Sequence, residues 1–83
     1  MSESFTVLAW AEFEGEIEDV LGPLEEAIRH DGGSELWAED EAGDRVSLRF
    51  RLAADSEEQA RGSTERILRA VFPDAAHGVV SVG

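Results

Sequence analysis

The sequence predicts a single α+β domain over residues 1–83, a layer of strands carrying two helices on one side, and three observations predict it. From Arg45 to Leu52 the chain alternates without a fault. Val46, Leu48, Phe50 and Leu52 point one way, and Arg45, Ser47, Arg49 and Arg51 the other, the period of a strand with one face in a core. On either side of that strand the apolar period changes to the helical i, i+3, i+4. Finally, 83 residues of which 42% are hydrophobic supply one modest core and not two.

Taken in order, Ser4 to Phe13 reads as the first strand, with Phe5, Val7, Ala9, Ala11 and Phe13 on the core side and Thr6, Leu8, Trp10 and Glu12 on the other. Two alanines at its centre let a helix approach closely, and Glu14-Gly15 ends it. From Glu16 a helix follows on Ile17, Val20, Leu21, Leu24, Ala27 and Ile28. Gly22-Pro23 should interrupt it, as a kink or as a fresh start with Pro23 in the first turn, because an interior proline costs about 3 kcal/mol. His30-Asp31-Gly32-Gly33 is a stop. Ser34 to Asp40 is a short strand, and Glu41-Ala42-Gly43-Asp44 a hairpin turn into the alternating strand. Ser56 with Gln59 forms a capping box, and Glu57 and Glu58 suit the positive end of the helix that follows. That helix buries Ala60, Thr64, Ile67, Leu68 and Val71 and closes at Phe72-Pro73. His77 to Val82 is the last strand.

The order β-α-β-β-α-β, with right-handed crossovers, places both helices on one face of an antiparallel sheet ordered 4-1-3-2. This is the ferredoxin-like plait, a layout that carries many unrelated functions and names none.

Composition narrows the choice by exclusion. Nineteen acidic residues face seven arginines and no lysine, a net charge of −12. Such a field repels phosphate backbones and anionic membranes. The acidity itself reads as solubility or as adaptation to a salty cytoplasm, and the missing lysines as a coding bias toward arginine. Without cysteine there is no disulfide, thiolate metal site or cysteine nucleophile. The N-terminal residues lack a basic region and alternate in polarity, so they match neither a signal peptide nor a membrane span, and a cytoplasmic location is expected. No serine elbow, P-loop or dinucleotide fingerprint occurs, and no cofactor is expected. An RNA-recognition domain shares the strand order, but its stacking aromatics are replaced here by Arg49 and Arg51.

The layout leaves one sheet face without helices. Leu8, Trp10, Glu35, Trp37, Glu39, Ser47, Arg49 and Arg51 fall on it, with Arg45 on the same strand edge. Cross-strand ion pairs would explain the charges at about 0.2–1 kcal/mol each. Two tryptophans on an open sheet are better explained as an interaction surface, and tryptophan and arginine are enriched at binding hot spots. Leu8, Trp10, Trp37, Arg49 and Arg51 are therefore the candidate interface, provided that the register of the second strand does not slip and turn Trp37 inward. His30 beside Asp31 reads as a helix-dipole partner. At the opposite end of the sheet His77 lies near Asp74, Glu14 and Asp44, a weak candidate set for a hard metal ion without any recognised ligand spacing.

The expected role is a non-catalytic interaction module that self-associates through the open sheet face, as a homodimer. One alternative is a dimeric barrel that binds or converts a small carboxylate-bearing ligand held by Arg49 and Arg51. Another is an acidic partner that neutralises a basic protein.

Overall fold

A computed structural model describes residues 3–41 and 44–83. The elements are β1 (Glu3–Glu12), α1 (Glu18–His30), β2 (Gly33–Glu41), β3 (Arg45–Ala54), α2 (Glu57–Val71) and β4 (His77–Val82). All strand pairs are antiparallel, and the sheet order is β2-β3-β1-β4, the expected 4-1-3-2 read from the other edge. The α+β plait is thus present. The expected turn between β2 and β3 falls partly on residues 42–43, outside the described residues.

The alternation of β3 becomes the floor of the core. Val46, Leu48, Phe50, Leu52 and Ala54 are all buried, while Arg45, Arg49 and Arg51 are exposed. On β1, Val7, Ala9 and Ala11 join that floor, with 2% or less of each exposed. Val20, Leu24 and Ile28 of α1 and Ala60, Thr64, Ile67 and Leu68 of α2 cover it. Thr64 is admitted because its hydroxyl donates to the Ala60 carbonyl at 2.8 Å, which satisfies the one polar group it buries. Phe13 and Phe72 close one end edge to face, with ring centroids 6.1 Å apart.

Pro23 does not restart α1. The helix runs from Glu18 through Pro23 to His30 as one element. The amide that proline lacks would have bonded to the carbonyl of Asp19, and both residues are solvent-exposed near the helix start, where the loss of one such bond is tolerated. Ile17 offers no side-chain cap, and its carbonyl instead accepts from the amides of Val20 and Leu21, each at 3.1 Å. At the other end the helix stops as expected after His30, and Gly32 takes φ 85°, a left-handed position.

The α2 cap forms as expected, with the Ser56 hydroxyl accepting from the Gln59 amide at 3.1 Å. Gln59 reaches one residue further back than a standard capping box, and its Oε1 accepts from the Asp55 amide at 2.6 Å. Ser56→Ala is expected to cost about 1 kcal/mol, read as a lower urea midpoint at unchanged slope.

Both edge strands are bulged. On β2 the register shifts between Ser34 and Trp37, with Glu35 at φ 56°. On β4 the register shifts opposite Leu8 and Ala9, leaving Val80 as the extra residue, 63% exposed. No helix among the described residues is long and apolar enough to cross a membrane.

Candidate interaction surface on the helix-free face

Rows of side chains cross the helix-free face, set by strand register. Arg45 lies between Glu41 and Glu12, and Ser47 between Glu39 and Trp10. Arg49 lies between Trp37 and Leu8, and Arg51 between Ser34 and Thr6. On the far side of β1, Gly78 is level with Trp10 and Ser81 with Leu8. The structure therefore brings Leu8, Trp10, Trp37, Arg49 and Arg51 onto one face.

The bulge at Glu35 decides the facing of Trp37. Upstream of it Gly33 pairs with Leu52 on the core side; downstream Leu36 and Ala38 pack against the core, and Trp37 turns outward, 45% exposed. Glu35 does not continue the plain alternation that placed it beside Trp37 and Glu39. It sits in the bulge, and its carboxylate lies 3.6 Å from Arg51 Nε.

The guanidinium groups go mainly to the indoles. The guanidinium carbon of Arg45 stands 4.4 Å from the ring centroid of Trp10, and that of Arg49 stands 5.3 Å from that of Trp37. Both lie inside the roughly 6 Å range of cation–π attraction, worth about 0.5–1 kcal/mol where exposed. Among the described residues the one ion pair on this face joins Arg51 to Glu35. Both groups are largely exposed, so solvent screens it. Arg51 Nε also donates to the Ser4 hydroxyl at 3.1 Å.

Trp10 is half-buried because β4 makes room for it. A Cβ added at Gly78 would stand 2.8 Å from the indole nitrogen, so the ring lies across the glycine backbone on one side and meets Arg45 on the other. Sequence reasoning left Gly78 and the diagonal Arg45–Trp10 contact out of the site. Arg45 shares the alternation of Arg49, which was the available signal. Leu8, 39% exposed, lies beside Trp10 on β1, with Arg49 of β3 between it and Trp37.

Charge separates this face from the rest of the molecule. Arg45, Arg49 and Arg51 stand against Glu12, Glu35, Glu39 and Glu41, so the face carries one of the chain's twelve net negative charges and the remainder carries eleven.

The weak metal candidates do not form a centre. Glu14, Asp44 and Asp74, with Glu12, line an open cleft of about 380 Å³ beside Phe13 and Phe72. His77 is outside that lining, its Nδ1 3.0 Å from the Ala75 carbonyl. Among the described residues no three histidine or carboxylate side chains converge to hold an ion. His77 pairs with Ala11 at one end of β1, whereas α1 delivers the chain to Gly33 at the other end, so His30 and His77 are far apart. His30 lies 3.7 Å from Asp31 at the helix C-terminus.

No protein-family model matches the chain, and no characterised protein matches it in sequence.

Proposed function

We propose that the protein is a non-catalytic interaction module that self-associates through the helix-free face of its sheet, two copies meeting face to face. The observation that carries this reading is the exposed apolar surface of Trp37 on β2 and of Leu8 with Trp10 on β1, the two indoles held by Arg49 and Arg45 rather than covered by the helices. Tryptophan interleaved with arginine on an open face is the composition enriched at interfaces and their hot spots.

Charge supports a second copy as the occupant. The rest of the molecule shares eleven net negative charges, which disfavours close contact there, while this face is nearly neutral and carries both signs. The bulges on β2 and β4 work against the competing mode, in which copies join edge to edge into a longer sheet. Four strands about 4.8 Å apart and roughly 25–30 Å long present roughly 500–600 Å² per copy. That is near the lower limit for a specific interface, so a reversible dimer with Kd on the order of micromolar is expected.

Trp10→Glu tests the reading. The variant should sediment as a monomer at concentrations where the parent is a dimer, with an unchanged far-ultraviolet circular dichroism spectrum. An oligomer that persists in this variant would place the interface elsewhere.

A further inference from the structure

The pattern of the same face also selects how two copies lie on one another, an inference that rests on the self-association proposed above. Twisted sheets that pack face to face in the aligned manner admit a two-fold axis across the strands or along them. An axis across the strands at the centre of the face reverses each strand upon its own copy. Arg51 then meets the partner's Arg45, and Glu35 meets the partner's Glu41, so like charges oppose at the rim.

An axis along the strands, between β1 and β3, exchanges the strands but keeps the rows. Each residue of β3 then faces the partner's counterpart of its own β1 neighbour. Arg45 meets the partner's Glu12, and Arg49 spreads its methylenes over the partner's Leu8. Ser47, the one small residue in the outward row of β3 between Arg45 and Arg51, receives the partner's Trp10. At the margin Trp37 lies over the partner's Ser81. Both tryptophans thus fall on serines, and Arg45 falls on a carboxylate. The offset of about 30° between packed sheets displaces the end rows by only a few ångströms, within the reach of an arginine.

We infer that the dimer's two-fold axis runs along the strands between β1 and β3, and that reciprocal contacts of Arg45 with the partner's Glu12 fix its register. The two contacts repeat across the axis, so one substitution alters both.

Sedimentation equilibrium of Arg45→Glu, Glu12→Arg and their equimolar mixture tests it. Alone, Arg45→Glu sets glutamate against the partner's Glu12 twice, and Glu12→Arg sets arginine against the partner's Arg45 twice. Each variant should associate at least about tenfold more weakly than the parent. In the mixture a heterodimer gains one contact of each complementary kind, and association should return to within about threefold of the parent. Circular dichroism confirms that both variants are folded. Should either variant fail to fold, Arg45→Gln and Glu12→Gln remove the charge alone, and each should still weaken association severalfold. A parent dimer whose variants associate undiminished, or whose mixture shows no recovery, overturns the register and leaves the face in place. A monomeric parent overturns the self-association itself.

Discussion

Phe50→Ala is expected to lower the free energy of unfolding by about 3–5 kcal/mol, the largest loss for any single side chain in this fold. Phe50 is 1% exposed and occupies the middle of β3, an interior strand with β1 and β2 on its flanks. Its β1 neighbour in register is Val7, fully buried. A strand between two others cannot slide to refill the space, so most of the lost volume would persist as a cavity. A domain of this size has about 5–10 kcal/mol in all, so the variant should be substantially unfolded at 37 °C. Urea denaturation followed by tryptophan fluorescence measures the change. A loss under about 1.5 kcal/mol would mean that the ring is not the centre of the core.

Gly33→Val should cost about 3 kcal/mol by a different route, overpacking against backbone. A Cβ at Gly33 would stand 2.5 Å from Ile28 Cγ2, 2.9 Å from the Arg51 carbonyl oxygen and 3.0 Å from that of Ile28. Two of these three are main-chain atoms, which cannot rotate away. The glycine lets α1 turn directly into β2, and a branched side chain would push helix and sheet edge apart. Gly62→Ala in α2 is the contrast, because nothing lies within 4 Å of a Cβ there. It should stabilise the protein by up to about 1 kcal/mol through helix propensity. Thermal unfolding of the two variants side by side should move in opposite directions. A neutral Gly33→Val would show that the helix-to-strand junction yields.

What the sequence made legible follows from where one periodicity ran unbroken. β3 could be read because each apolar residue from Val46 to Phe50 is flanked by polar ones, and both helices because their buried positions recur at helical spacing. The two departures arise where local rules have a cheap exception. Pro23 sits early and exposed, so the helix tolerates it. At the β2 bulge the left-handed position holds Glu35 rather than glycine or asparagine, so nothing in the sequence marks it. Plain alternation from Glu35 to Glu39 placed Trp37 on the outer face, where it lies, although the strand behind it is irregular. The seating of Trp10 depends on Gly78, 68 residues away along the chain, and on a diagonal rather than a direct neighbour in Arg45. Such contacts come from register, which composition does not encode. Chemistry was illegible for a plainer reason, since no recognised catalytic spacing is present to read.

The place of β1 in the sheet order governs when this chain can fold during synthesis. Of the four strands β1 leaves the ribosome first, yet its neighbours are β3 and β4, and β4 is the last of the four to follow. The hairpin of β2 and β3 can pair early, but Val7, Ala9 and Ala11 must wait through some seventy residues before their second flank arrives. Such long-range closure slows folding and leaves an apolar strand with one free edge exposed to other nascent chains. Protease protection of stalled chains should therefore switch on late and all at once, when Val82 clears the exit tunnel, rather than growing element by element.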